Sequence, residues 1–222
     1  MNIGFESISP WLDQLEYDWS LLEHLGEVET YNLHDPIYHS GDHAQYIYIV
    51  KSGRVQLFLT TESGKEKSVA IVGKNGLIGE NYISEDTTYL ENTIAVSSLT
   101  LIRVPRKLFE QEVLHNPALS KQWVDILNRK LRLLAISNLQ LSFGSSYSLI
   151  CNALYHLAVT YGESNDEGIT IGITFTHQEL ANLIGTSRVT VANTMNNMLQ
   201  NNILSKKGRF YHIHSLDQLT DI

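Results

Sequence analysis

Residues 176–195 read THQELANLIGTSRVTVANTM, and the order of residue types dictates two short helices with a sharp turn between them. Thr176 suits an N-cap, and Glu179 three residues on completes a capping box. Leu180, Ala181, Leu183 and Ile184 make the apolar face of about two helical turns. Gly185 stands where that helix must stop and the chain reverse. Thr186 or Ser187 then caps a second helix that buries Val191, Met195 and Met198 and turns Arg188, Val189, Thr190 and Asn193 outward. Ala181 and Ala192 are small enough to let the helices approach at their crossing. Such a pair is a helix-turn-helix, the unit that lays the first residues of its second helix in a major groove. Just downstream, residues 203–213 (ILSKKGRFYHI) read as a hairpin turned at Lys207-Gly208, a wing with Lys206, Lys207 and Arg209 at its tip.

Upstream, Gly144-Ser145-Ser146 has the composition of a hinge. Between it and the helix pair lie a helix over about 148–161, a polar turn at 163–168 and a short β segment at 169–175. Before the hinge, Pro117 suits a first helical turn and residues 118–143 contain no further proline or glycine. Inside that stretch Val124, Leu127, Leu131, Leu134, Asn138 and Leu141 recur at alternating steps of three and four, a coiled-coil seam with one polar a position. A second stripe of Leu119, Trp123, Ile126 and Leu133 lies on an adjacent face. One helix can thus serve both a core and a partner, and an Asn138 that would be costly against leucine can hydrogen-bond its own symmetry mate in a parallel homodimer.

Residues 31–105 have a different texture. Short runs such as IYIVK, RVQLFLTT, SVAIV, TIAVSS and TLIRVP have strand length and strand composition. Gly41, Gly53, Gly64 and Gly76 punctuate them at intervals of 12, 11 and 12 residues, as expected where each hairpin returns through a left-handed glycine. A compact barrel or sandwich of about eight short strands follows. Ahead of the roll, Trp11, Leu12, Leu15, Trp19, Leu22 and Leu25 have the spacing of one or two packing helices. The fold class is α+β: a β domain with an N-terminal helix over 1–115, a dimerisation helix over 116–143 and a winged helix-turn-helix over 144–222.

Composition narrows the function. No apolar run reaches the ~20 residues of a membrane span and the N-terminus lacks the basic start of a signal peptide, so a cytoplasmic protein without membrane contact is expected. A single cysteine, Cys151, excludes an intrachain disulfide and an iron–sulfur cluster ligated by one chain. The nine histidines offer no evident axial pair for haem. Neither a phosphate-cradling Gly-Lys-Ser/Thr, a nucleophile elbow nor a metal-binding histidine spacing occurs, so no enzyme is expected. The net charge of −8 argues at first against nucleic acid, but it is unevenly distributed. Residues 176–222 hold Arg188, Lys206, Lys207 and Arg209 against Glu179, Asp217 and Asp221, a balance of +1, and the remainder of the chain carries −9.

A glycine-punctuated roll with Ile78-Gly79-Glu80, a long helix, then Gln178-Glu179-Leu180-Ala181 and Gly185-Thr186-Ser187-Arg188 resembles, in that order and over nearly the whole chain, the cyclic-AMP receptor protein/fumarate-nitrate regulator (Crp/Fnr) family of bacterial transcription factors. Its fold would be a cyclic-nucleotide-binding-type β-roll (a double-stranded β-helix or jelly roll), a dimer helix and a winged helix-turn-helix. The resemblance implies a homodimer on double-stranded, palindromic DNA, with RNA polymerase as a further partner if the protein activates. It also implies base contacts from Arg188, Val189 and Asn193. Arg188 would pair with guanine, whereas Val189 stands where many relatives carry glutamate and Asn193 where many carry a second arginine, which shifts the operator toward A·T. Phosphate contacts are implied for Thr176, Gln178, Ser187, Thr190, Lys206, Lys207 and Arg209.

The family pattern breaks at the effector site. Cyclic-nucleotide binders carry Arg-Ser about ten residues after the Gly-Glu pair. Here residues 81–93 (NYISEDTTYLENT) contain three acids and no base, and the long helix is apolar near Leu134-Ala135. A cyclic nucleotide is therefore not expected. The tentative pocket comprises Gly79, Glu80, Tyr82, Tyr89 and Leu134. An aromatic or small organic effector held there would resemble the halorespiration regulators of the family; a protein competent without a small ligand is the other possibility. The rival to the whole reading is a regulatory or interaction module that keeps a cyclic-nucleotide-type barrel but does not bind DNA, which would need neither Arg188 nor a basic wing.

Overall fold

The glycine-punctuated stretch folds into two four-stranded sheets. The computed structural model describes residues 9–80 and 87–220, with Phe143 described through its backbone alone. The roll consists of β1 (Trp11–Leu12), β2 (Glu27–Tyr31), β3 (Tyr46–Ser52), β4 (Val55–Thr60), β5 (Glu66–Val72), β6 (Leu77–Ile78), β7 (Asn92–Ala95) and β8 (Leu99–Pro105). Their orders are β1-β5-β4-β7 and β2-β8-β3-β6. The central pairing sets Ile47 against Val104 and Ile49 against Ile102, with a bulge between Val50 and Ser52. Strand alternation sends Ser68, Ala70 and Val72 of β5 inward.

Gly41, Gly53 and Gly64 do carry left-handed backbone, at φ 91°, 80° and 77°. Gly76 does not. The left-handed residue of that turn is Asn75, at φ 64°, a region that asparagine enters more readily than most non-glycine residues. Its Nδ2 donates to Leu15 O at 2.7 Å.

The expected N-terminal helix reduces to one turn, α1 (Ser20–Glu23). The preceding residues form a strap whose backbone groups are taken by the roll. Gly73 N donates to Leu12 O (2.9 Å), Leu15 N to Lys74 O (3.2 Å) and the Trp19 indole to Asn75 O (2.8 Å). The apolar spacing was real, since Trp11, Leu12, Trp19 and Leu22 are buried, but long-range hydrogen bonds satisfy the chain in place of a helical ladder. After the two-residue β1, the strands resume at Glu27, ahead of the Tyr31 expected from composition.

Helix α2 (Arg106–His115) leads to α3 (Pro117–Phe143). Asn116 Oδ1 accepts from Ala118 N (3.0 Å) and Leu119 N (3.3 Å), capping the long helix. Leu119, Trp123 and Ile126 of α3 enter a core with Ile47, Ile49, Leu77, Ile102, Val104, Phe109 and Val113. The Phe109 and Trp123 rings meet edge to face, with centroids 5.8 Å apart.

The chain divides into two compact units, one of Leu12–Arg132 and one of Leu133–Ile222 together with the N-terminal segment ending at Trp11, so one boundary falls within α3. The second unit continues through α4 (Ser146–Tyr161), β9 (Gly162–Asn165), β10 (Gly168–Ile171), α5 (His177–Ile184), α6 (Arg188–Gln200), β11 (Leu204–Lys207), β12 (Phe210–Ile213) and α7 (Asp217–Thr220). Its strands form one sheet in the order β11-β12-β10-β9. The segment read as a polar turn at 163–168 is thus mostly strand. Its polar letters mark an exposed edge, β9, paired to β10 across Asp166-Glu167.

Gly53 and Gly64 test the roll. A Cβ on Gly53 would run into Ser98 O and lie 2.8 Å from Leu99 Cα, whereas one on Gly64 meets nothing within 4 Å. Gly64→Ala should cost about 1–2 kcal/mol for left-handed backbone alone. Gly53→Ala should cost upwards of about 3 kcal/mol, because rigid backbone must also move. Urea unfolding of the two variants measures the difference, and equal costs would contradict the packing.

Candidate nucleic-acid interface

The helix pair is built as its letters require. Thr176 Oγ1 accepts from Glu179 N at 3.0 Å and Glu179 Oε2 from Thr176 N at 2.6 Å, closing the capping box. Gly185 ends α5 in left-handed backbone at φ 77°, and its N–H bonds back to Ala181 O. Ser187, the second of the two cap candidates, caps α6 by accepting from Thr190 N at 3.0 Å. Val191, Met195 and Met198 are buried and lock the rotation of α6. That rotation leaves Arg188, Val189 and Asn193 on the exposed side, Val189 with 67% of its surface open.

The proposed phosphate-contacting residues are less uniform. Thr176, Gln178 and Ser187 are exposed, and Thr190 half-buried. Gln178 Nε2 donates to Asn182 Oδ1 (2.6 Å) and the Ser187 and Thr190 hydroxyls bond each other (2.8 Å). In the wing, Lys207 pairs with Phe210 across the hairpin, so the turn is Gly208-Arg209, one residue later than expected. Lys206 lies over the Tyr211 ring at 5.2 Å and Arg209 over Phe210 at 5.1 Å, both ammonium and guanidinium remaining exposed. Lys207 differs from them: its Nζ is 2.7 Å from Glu167 Oε2, which holds that carboxyl below its ordinary value. Sequence reasoning passed over His177, the first residue of α5. Its Nε2 lies 3.1 Å from the Tyr211 hydroxyl, and Tyr211 stacks on Phe175 at 5.3 Å. A histidine inside a helix-turn-helix carries no signal by letter alone.

Helix α3 presents a second surface. Val124, Leu131, Leu134 and Leu141 are each 50–64% exposed, and Asn138 is exposed among them. Leu127, expected on the same stripe, is half-buried against the roll core and so serves both faces. Leu119, Trp123, Ile126 and Leu133 are buried, as their adjacent stripe requires.

Inside the roll, Glu80 is fully buried and Lys130 of α3 reaches it, Nζ lying 2.5 Å from Oε1 and donating to Leu77 O at 3.0 Å. Burial pushes the Glu80 carboxyl up, against the pull of Lys130. Gly79 O accepts from Arg106 Nη2 (2.6 Å), whose Nε donates to Ala44 O (2.5 Å). Tyr89 stacks on Tyr38 with centroids 3.7 Å apart, and Tyr38 donates to the buried Glu91 at 3.1 Å. Of the tentative pocket, Gly79, Glu80 and Tyr89 belong to this cluster, Leu134 to the exposed stripe of α3, and Tyr82 lies outside the described residues. Lys130, Tyr38, Glu91 and Arg106 were not anticipated; they come from distant positions that only the roll's pairing unites. Among the described residues no group of three or more His, Cys, Asp or Glu side chains is placed to hold a metal ion.

Comparison with known proteins agrees with this architecture at both ends. Residues 28–116 match the family described as cyclic nucleotide-binding domain, and residues 150–222 that described as Crp-like helix-turn-helix domain. The chain is 22% identical to the anaerobic regulatory protein of Bacillus subtilis over 204 residues, 90% of this chain and 85% of the relative. It is 28% identical to the cyclic AMP receptor protein of Thermus thermophilus over 169 residues, 76% and 75% of the two chains. Among solved structures, a mutant of CooA from Carboxydothermus hydrogenoformans superposes with a TM-score of 0.76 at 24% identity, covering 93% of this chain and 90% of that one. With a cyclic-nucleotide-type roll, a capped helix-turn-helix and a wing in one chain, the protein belongs to the Crp/Fnr family of DNA-binding transcription regulators and is not an enzyme.

Proposed function

We propose that the protein acts as a homodimer on a palindromic operator, and that an event in the roll, other than cyclic-nucleotide binding, sets its DNA affinity. The observation that carries the dimer is the stripe of Val124, Leu131, Leu134 and Leu141, too apolar to face water and centred on the exposed Asn138. Two such helices side by side bury the stripe and pair the asparagines, which favours a parallel dimer in one register. The two-fold axis then presents two α6 helices, whose reading of successive major grooves requires a separation of about 34 Å.

In this reading residues 1–115 sense, 116–143 dimerise and 144–222 bind DNA in the cytoplasm, with no iron–sulfur cluster or haem. Arg188 reads guanine, Val189 a thymine methyl, and Asn193 a further base edge. Thr176, Gln178, Ser187, Thr190, Lys206 and Arg209 position the backbone. Lys207 contributes less, since it is engaged by Glu167. If the protein activates, RNA polymerase is the next partner.

Several curated relatives are named for cyclic AMP, but this interior suits it poorly. The described cluster sets two buried acids, Glu80 and Glu91, against two cations, and both cations are engaged: Lys130 with Glu80, and the Arg106 guanidinium with the carbonyls of Ala44 and Gly79. A cyclic phosphate would have to draw one of them away from its present partners to be neutralised. Millimolar cyclic AMP is expected to leave the thermal unfolding midpoint unchanged; an upward shift abolished by mutation of the cluster would refute this.

Two further tests address DNA and dimer. Binding-site selection from random DNA should return an inverted repeat, and Arg188→Ala should lose about 1–3 kcal/mol of discrimination at one base pair of each half-site. Uniform weakening across sequences would instead make Arg188 a backbone contact. In sedimentation equilibrium, Leu131→Lys should yield monomers and Asn138→Leu should change the oligomeric state or the register. If both variants remain dimers with unaltered DNA response, the stripe is not the interface.

A further inference from the structure

The histidine at the start of α5 sits in the middle of the basic face. It is flanked by exposed Thr176 and Gln178, faces Lys206 of β11 and Arg188 of α6, and is tied through Nε2 to Tyr211 of β12. We propose that His177 is a proton-dependent contact to the DNA backbone: once protonated, its imidazolium donates to a phosphate oxygen, so that DNA binding takes up a proton. The inference rests on the DNA-facing assignment of α5 and the wing.

The hydrogen-bond chemistry permits both states. A neutral imidazole accepts from the Tyr211 hydroxyl at Nε2, or donates to it in the other tautomer; an imidazolium donates at both nitrogens, and a hydroxyl can accept as readily as it donates. The Tyr211 contact therefore survives protonation and keeps the ring oriented, with Nδ1–H available to a second acceptor. Tyr211 is itself held, stacked on Phe175 and covered by Lys206. The remaining charge of the same turn, Glu179, is committed to the Thr176 backbone N–H.

The electrostatics reverse on binding. In the free protein, burial and the charges of Lys206 and Arg188 hold the His177 imidazole below its ordinary value. A phosphate laid across these cations neutralises them and adds a negative acceptor, which favours the charged ring. A group whose proton affinity is higher in the complex strengthens the complex as pH falls, fully below the free value and not at all above the bound one. Each unit of upward shift is worth about tenfold in affinity per imidazole, and the proposed dimer carries two.

The test uses the full-length protein and a fluorescein-labelled duplex recovered by selection, with anisotropy measured at constant ionic strength from about pH 8 to about pH 6. The wild-type Kd should fall by about threefold to tenfold over that range. His177→Gln, a neutral residue with its own donor, should stay near the wild-type value at the upper pH throughout. His177→Arg should bind tightly at both ends. Calorimetry of the wild-type complex in two buffers of different ionisation heat should register proton uptake, which needs no variant to fold. Parallel pH dependence in wild type and His177→Gln, or no proton uptake, would overturn the proposal while leaving DNA binding intact. Absence of binding by every form at low salt would overturn the DNA-facing assignment itself.

Discussion

A single helix has to satisfy two environments at once. Helix α3 runs for 27 residues, and its first half gives Leu119, Trp123 and Ile126 to the roll core while Val124 and Leu131 stay in the open. Burying one stripe fixes the helix's rotation and therefore which residues remain outside. Leu127 sits at the border and contributes to both. Lys130 adds a charged contact to the buried Glu80, a kind of pair that contributes little net stability once desolvation is counted.

Much of this was legible in the letters. The capping box at Thr176 and Glu179, the stop at Gly185 and the buried Val191, Met195 and Met198 are local rules, in which each residue's role depends on neighbours a few positions away. The two stripes of α3 were legible for the same reason, since helical periodicity carries burial information directly. The strap before α1 was not. Its spacing mimicked a helix, but Trp19, Leu22, Leu15 and Leu25 pack on the roll core while the strap's polar groups bond to Lys74 and Asn75. The left-handed turn at Asn75, in place of Gly76, was hidden by the assumption that glycine takes every such position.

The interior of the roll was the least legible part. The acids and the missing arginine after Glu80 could be read, but not the partners that fill the space. Lys130 comes from a helix fifty residues downstream, Tyr38 and Glu91 from separate loops, and Arg106 from the start of α2; strand pairing alone brings them together. The wing was half legible. Its basic tip was plain, yet the turn shifted by one residue and Lys207 proved committed to Glu167, whose hairpin had been read as a loop.

The proposed homodimer would also set how the regulator responds to its own abundance. If a second copy covers the open stripe on α3, the DNA-competent species is bimolecular and its stability cannot be separated from chain concentration. Below the dimerisation constant, operator occupancy then rises with the square of the number of chains in the cell. A twofold change in synthesis becomes about a fourfold change in occupancy before any signal reaches the roll.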